Sequence, residues 1–358
     1  MDREDQRFRL PGRAARSNHA GRFEAHDRVA VDDGWAREED LPPLRTEVRA
    51  ERPRRMITYN RSPDLPFDRS INPYRGCEHG CVYCFARPSH AYLGLSPGLD
   101  FETRLIARPE AATGLRRELA ASRYTVAPIA IGTNTDPYQP VEKRHGIMRD
   151  CLRVLAEARH PVAIVTKGSL IERDIDILGV MANEDLLRVG ISITTLDGAL
   201  SRRMEPRAPS PKRRLQMIER LAHAGVPVRV MASPMIPGLS DPELEAILTA
   251  GRDAGASHAS WSMLRLPREV SPLMQDWLAE HYPDRAARIM SRLREMHGGR
   301  EYDSAWHRRM RGEGPYAEMI AQRFELAVKR LGLGTTGSPM RCDLFRRPEK
   351  ESDQLRLF

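Results

Sequence analysis

Arg75-Gly76-Cys77-Glu78-His79-Gly80-Cys81-Val82-Tyr83-Cys84-Phe85 is the stretch from which the fold and chemistry of this chain follow. It gathers three of the five cysteines into eight residues, with the spacing C-x3-C-x2-C. Thiolates bind soft and borderline metals, and a tetrahedral zinc site or a conventional four-iron cluster takes four protein ligands. Three cysteines leave one coordination position open, which is where a substrate or cofactor binds and reacts. The alternative is a closed zinc site with His79, His90, Cys151 or Cys342 as fourth ligand. Zinc modules usually present two spaced ligand pairs, however, and no second pair occurs. Gly76 and Gly80 supply the permissive backbone that lets a loop wrap a metal centre, and Ser70 to Gly76 reads as its extended lead-in.

Downstream, strand and helix signals alternate about every thirty residues, as βα units of a parallel sheet do. Residues 128–133, 161–166, 187–193, 226–231 and 259–264 read as short buried strands. Between them, Ile147, Met148, Cys151, Leu152 and Leu155 share one helix face, and Leu215, Ile218, Leu221 and Ala222 share another that stops at Gly225. Ser240-Asp241-Pro242-Glu243 reads as a capping box. With a strand just before the cysteine loop, the count is about six βα units, too few to close an eight-stranded barrel. The expectation is an α/β fold, a partial (βα)6 barrel over residues 56–270.

Residues 271–334 read as a C-terminal helical extension, in which Pro315 opens a helix, Ile320, Phe324, Ala327, Val328 and Leu331 share a face, and Gly332 ends it. Residues 1–55 read as a flexible N-terminal arm, dense in charge and broken by Pro42-Pro43 and Pro53, and 335–358 as a flexible tail. In parallel α/β architectures ligands sit at the carboxyl ends of strands. That rule selects residues 133–138, Thr166-Lys167, Ser192, Thr194 and Ser233-Pro234.

The cysteine spacing, with the aromatic Tyr83 directly before the last cysteine, resembles the signature of the radical SAM superfamily. The resemblance implies that Cys77, Cys81 and Cys84 each hold one iron of a [4Fe-4S] cluster, while S-adenosylmethionine chelates the fourth. One electron, from a donor such as flavodoxin or ferredoxin, then splits the sulfonium into methionine and a 5′-deoxyadenosyl radical. A partial barrel is also what it implies for the fold. On this reading Tyr83 belongs to the cofactor site, and Asn134 or Asp136 meets the methionyl ammonium or a ribose hydroxyl. Lys167 pairs with the methionyl carboxylate, and Ser192 or Thr194 contacts ribose or carboxylate.

Four further stretches, 132–142, Thr166-Lys167, Glu205-Pro206-Arg207-Ala208-Pro209 and 234–239, resemble the branch related to spore photoproduct lyase, the DNA repair photolyase-like proteins. The resemblance runs from about Ser70 to Gly334. That lyase reverses a thymine dimer, with a tyrosine on each side of the last cluster cysteine and a downstream cysteine that returns a hydrogen atom. Here Tyr83 matches the first tyrosine, but Phe85, which has no phenol, replaces the second. Cys151, the cysteine between cluster and tail, falls on an apolar helix stripe. No catalytic residue is assigned.

The 358 residues carry a formal net charge of +8, which suits a polyanionic partner such as DNA. No apolar run is long enough to span a membrane, and clustered cysteines suit a reducing compartment, so a cytoplasmic location is expected. Gln354-Leu355-Arg356-Leu357-Phe358 resembles the short peptide that docks repair factors on the bacterial sliding clamp; Gln354, Leu355, Leu357 and Phe358 are its candidate partner-binding residues. Three functions compete: a radical enzyme acting on nucleic acid in repair or base modification, one acting on a peptide, tRNA or small metabolite, and a non-catalytic, metal-binding, clamp-associated protein.

Overall fold

The structure is a computed structural model that describes residues 12–15, 17–24 and 44–349. Ten strands occur among them: β1 (Glu47–Ala50), β2 (Thr58–Tyr59), β3 (Arg69–Ile71), β4 (Tyr74–Arg75), β5 (Arg104–Ala107), β6 (Ile129–Ile131), β7 (Val162–Thr166), β8 (Leu187–Ile193), β9 (Val228–Met235) and β10 (His258–Met263). Six of them, in the order β10-β9-β8-β7-β6-β3, form one parallel sheet, and β2 adds an antiparallel edge beyond β3. This is the expected partial (βα)6 barrel of an α/β protein. The strands carry nearly continuous apolar residues, such as Ile129, Ile131, Val162, Val189, Ile191 and Val230, because helices and the barrel interior cover both faces. All six parallel strands end at one rim, so the residues that follow them converge.

The helices cover the sheet as their stripes require. Ile147, Met148, Cys151, Leu152 and Leu155 are buried from Ile147–Glu157; from Pro211–His223 Met217, Ile218 and Leu221 are buried, whereas Leu215 and Ala222 of the expected stripe are only half-buried. In Pro315–Leu331 the proline sits in the first turn and Gly332 closes the end with φ 67°. The capping box does not form. Ser240 Oγ accepts from Ile236 N–H at 3.0 Å, and residues 241–243 make a 3-10 turn before Leu244–Asp253. Glu243 instead reaches back to Thr195 Oγ1 at 2.5 Å and Leu196 N at 2.7 Å, bracing the loop after β8.

Two segments expected to be loose are docked over their described residues. Arg13, Ala14 and Ala15 are buried, with Arg13 donating to Glu102 O at 2.9 Å, and β1 pairs in parallel with β5. In the tail, Phe345 packs on Tyr124 and His160, and Arg346 N–H donates to Ala158 O at 2.8 Å. Each charged arm carries a few apolar or backbone anchors that average composition hides. The five C-terminal residues of the clamp-like peptide lie outside the described residues. No helix among the described residues is long and apolar enough to cross a membrane.

The order β1-β5-β4 makes a second, three-stranded sheet. β4 and β5 pair antiparallel, so everything from Gly76 to Thr103 is an excursion closed at its base by that pair. The three neighbouring cysteines project from this excursion.

Candidate active site

The cysteine loop leaves β4 at Arg75 and turns at Gly76 (φ 78°) and Gly80 (φ 67°), a region of backbone space that L side chains avoid. At Gly76 a Cβ would lie 2.8 Å from the backbone oxygen of Phe101, so this position needs glycine for space as well. Backbone bonds fasten the turn: Cys77 N–H to Phe101 O at 3.0 Å, Gly80 N–H to Cys77 O at 3.3 Å and Cys84 N–H to Cys81 O at 3.2 Å. Arg87, fully buried, ties down its other side. Its guanidinium donates to Cys81 O, Gly80 O, Pro97 O and Gly98 O, and pairs with the equally buried Glu102 at 2.5 Å. A buried pair of this kind adds little net stability, but loss of one partner costs about 3–5 kcal/mol.

All three cysteines are free thiols. Burial, then the neighbouring Asp136 and the other two sulfurs, pushes Cys77 far above the ordinary thiol range; burial and Glu205 push Cys81 up to about 12, and burial raises Cys84. Three crowded thiols that resist ionisation are a poor protein core and a good metal-ligand set, since a metal supplies the charge that removes their protons. The donor chemistry suits a cluster, and Cys77, Cys81 and Cys84 are the residues that would hold it. A fourth ligand from the zinc alternative does not join them. His79 Nδ1 faces Asp136 at 3.3 Å, His90 Nε2 faces Arg104 O at 2.9 Å, Cys151 is fully buried in its helix, and Cys342 lies in the tail.

Beside the loop, the rim residues selected from the sequence divide into two groups. Tyr83, Lys167, Ser192 and Thr194 come together. Tyr83 is 6% exposed, and its phenol bonds Thr194 Oγ1 at 3.0 Å and Glu205. Lys167 Nζ donates to Ser192 Oγ at 2.8 Å, lies 4.0 Å from Glu205 Oε1 and stands 5.8 Å from the Tyr83 ring centre. Ser192 and Thr194 both donate to Ser233 O, at 2.9 and 3.0 Å. Beneath them Glu205 also binds the buried Arg214, whose Nη1 donates to Ser192 O at 3.0 Å. Burial pushes the Glu205 carboxyl up, but the Arg214 and Lys167 charges and the bonds from Arg214 and Tyr83 outweigh it and bring it down to about 2.

Asp136 does a different job from the one expected. Oδ1 accepts from Thr166 Oγ1 at 2.6 Å and Tyr138 N–H at 2.9 Å, and Oδ2 accepts Lys167 N–H at 2.8 Å and faces His79. A carboxylate has about four acceptor positions, so no room is left for a cofactor ammonium. Burial raises this carboxyl, but His79 and the bonds from Lys167 N–H and Thr166 outweigh burial and hold it near 2. Asp136 braces the end of β7 against the cysteine loop. Asn134 is half-buried at the rim, its N–H donating to Asn72 Oδ1 at 3.0 Å.

Several site residues had escaped the sequence reading. Arg214 sits three and four residues from Met217 and Ile218 on a buried helix stripe, a basic residue where an apolar one belongs, and that was the available signal. Gln139 binds Gly76 O and Glu78 N–H from below the loop. Arg265 follows β10 by two residues. Its Cζ lies 4.5 Å from the centre of the Phe85 ring, and Nη2 donates to Tyr302 Oη at 3.3 Å. Arg265 Nε is buried with no hydrogen-bond partner, a state that costs about 1–3 kcal/mol. Phe85 remains 44% exposed.

Fold and site together define an α/β partial barrel that presents a three-thiol metal loop at the carboxyl rim of its strands. The family model of the radical SAM superfamily matches residues 71–250, half of the chain. The chain belongs to the radical SAM superfamily, whose cofactors are a [4Fe-4S] cluster and S-adenosylmethionine, and it is an enzyme of that class. An uncharacterized protein of Mycobacterium tuberculosis is 37% identical over 235 residues, covering 65% of this chain and 68% of that one. An uncharacterized protein of Methanocaldococcus jannaschii is 27% identical over 173 residues, 48% of this chain and 62% of its own. Among solved structures, a spore photoproduct lyase variant with bound AdoMet and dinucleoside spore photoproduct matches with a TM-score of 0.57 at 12% identity, over 80% of each chain. Another variant of that lyase matches with a TM-score of 0.56 over 83% of this chain and 87% of that one. The fold is shared with that enzyme.

Proposed function

We propose that this radical SAM enzyme acts on nucleic acid, in DNA repair or base modification. The observation that supports this most is the breadth of the fold likeness to a lyase solved with AdoMet and a dinucleoside lesion. The net charge of +8 agrees with a polyanionic substrate.

When bound, the cluster and S-adenosylmethionine supply a 5′-deoxyadenosyl radical by one-electron cleavage of the sulfonium. The protein supplies orientation and the exclusion of side reactions. Cys77, Cys81 and Cys84 hold the cluster. Lys167, ending β7 beside Tyr83, offers its ammonium to the methionyl carboxylate, with Ser192, Thr194 and Asn134 within the same rim for ribose or ammonium. Asp136 and Glu205 position Lys167 from below. Phe85 has no O–H to relay a hydrogen atom and Cys151 is fully buried, so the product radical is quenched differently from the lyase pattern. The reading also takes in a flavodoxin- or ferredoxin-like electron donor, a cytoplasmic location, and docking on the sliding clamp through Gln354, Leu355, Leu357 and Phe358.

The test is anaerobic reconstitution with iron and sulfide, reduction, and assay of 5′-deoxyadenosine with damaged duplex DNA, single-stranded DNA, tRNA or peptide. Stimulation by DNA supports the proposal. Stimulation by tRNA, peptide or small metabolites alone transfers the chemistry to that class, and a full cluster with no cleavage under any condition removes the enzyme reading.

A further inference from the structure

Resting on that reading, we infer that Phe85, Arg265 and Tyr302 form the subsite that takes one unpaired nucleotide of the substrate, the base on the Phe85 ring and the phosphate on the Arg265 guanidinium. Four observations carry it. Phe85 directly follows the cluster ligand Cys84, so a group stacked on it sits beside the metal loop. Its ring is 44% exposed although Arg265 lies over it at 4.5 Å. Arg265 stands at the end of the sixth parallel strand, on the ligand-binding rim, with a buried Nε that meets no acceptor. Tyr302 Oη, 3.3 Å from Nη2, holds the guanidinium in place and adds a second aromatic ring 5.9 Å from Cζ.

An exposed ring under a guanidinium plane is what single-stranded nucleic-acid sites use, because every base has a π-face and arginine binds phosphate through a planar fork. The unpartnered Nε is enclosed in this arrangement, and it supplies a donor for that fork once the guanidinium turns toward the phosphate. A base paired within a duplex cannot reach such a ring, so the subsite selects an unpaired or extruded nucleotide. Phenylalanine in place of the second tyrosine thus keeps the stacking surface and gives up the phenol.

The experiment uses reconstituted holoenzyme and single-stranded oligonucleotides carrying the fluorescent base 2-aminopurine. Wild type should quench the fluorophore on binding and prefer single-stranded over intact duplex DNA. Phe85→Ala should lose the quench and weaken binding roughly five- to hundredfold. Arg265→Ala should weaken binding and reduce the salt slope by about 0.7, one phosphate contact on a single strand. Arg265→Lys should keep that slope and lose part of the affinity. Unchanged iron content and S-adenosylmethionine affinity show that the variants are folded. Wild-type quench and salt slope in both alanine variants, with DNA still bound, would overturn the subsite and leave the nucleic-acid function standing. An aromatic peptide that binds more tightly and depends on the same residues would overturn the choice of nucleotide, and no DNA binding by wild type would remove both.

Discussion

Tyr83 and Phe85 flank the same cluster cysteine, yet their surroundings are opposite. Tyr83 is buried, its phenol bonded to Thr194 and Glu205, and Glu205 is in turn bonded to the buried Arg214. Phe85 is exposed under an arginine whose Nε has no partner. On the first side every named charge has its countercharge, which fixes geometry in advance at the cost of binding versatility. On the second side an aromatic face is open and a neighbouring donor is unpaired, which leaves work for a ligand. On the proposed assignment, the contrast makes the cofactor side of the rim preorganised and the substrate side one that is completed by what binds.

The largest expected effect comes from removing one of the three candidate cluster ligands. Cys81→Ala should lose the cluster and, with it, all detectable 5′-deoxyadenosine, read together with iron content. Next is the network under Tyr83. Glu205→Ala leaves Arg214 buried and unpaired and should destabilise the fold by about 3–5 kcal/mol in chemical denaturation, whereas Phe85→Ala, at an exposed position, should cost well under that. Lys167→Ala should weaken S-adenosylmethionine binding by about tenfold or more, the loss of one charge-assisted bond, with cluster content retained. Equal losses of cofactor affinity in Lys167→Ala and Phe85→Ala would erase the distinction between the two sides.

Acidity probes the closed side selectively. Asp136 and Glu205 are both held near 2 in the folded protein, below the ordinary carboxylate range of about 4. A depressed folded pKa contributes stability that is present above the unfolded value and is lost as pH falls through the folded one. Denaturant midpoints should therefore hold down to about pH 5 and fall toward pH 2, and Glu205→Gln should flatten part of that fall. The smallest effect belongs to Cys151→Ala, a buried thiol away from the rim. It should cost about 1 kcal/mol of stability and leave cofactor cleavage unchanged.

The central parallel strands β6 to β9 were legible because each contains a short apolar run bounded by turn residues, and β8 was read to the residue. β9 extends to Met235, four residues past the apolar run, because Ala232 and Met235 pair with Trp261 and Met263 on β10. The candidate cluster ligands and Tyr83 came from the resemblance of the cysteine stretch to a known signature, and Lys167, Ser192 and Thr194 from the rule that ligands gather at strand ends; the structure brings Tyr83, Lys167, Ser192 and Thr194 together. Side-chain partners were not. Nothing local in the sequence says that Asp136 spends its acceptors on Thr166, Tyr138, Lys167 and His79, or that Arg87 meets Glu102 fifteen residues away. The docked arms were missed because a few contacts, Arg13 on Glu102 O or Phe345 on His160, decide their place and composition averages them out.

The most direct measurement titrates reconstituted wild type, Lys167→Ala and Phe85→Ala with S-adenosylmethionine and, separately, with a single-stranded oligonucleotide. The account predicts a crossed result: Lys167→Ala loses cofactor affinity and keeps the oligonucleotide, while Phe85→Ala keeps the cofactor and loses the oligonucleotide. Parallel losses in both variants, or oligonucleotide binding indifferent to Phe85, would contradict it.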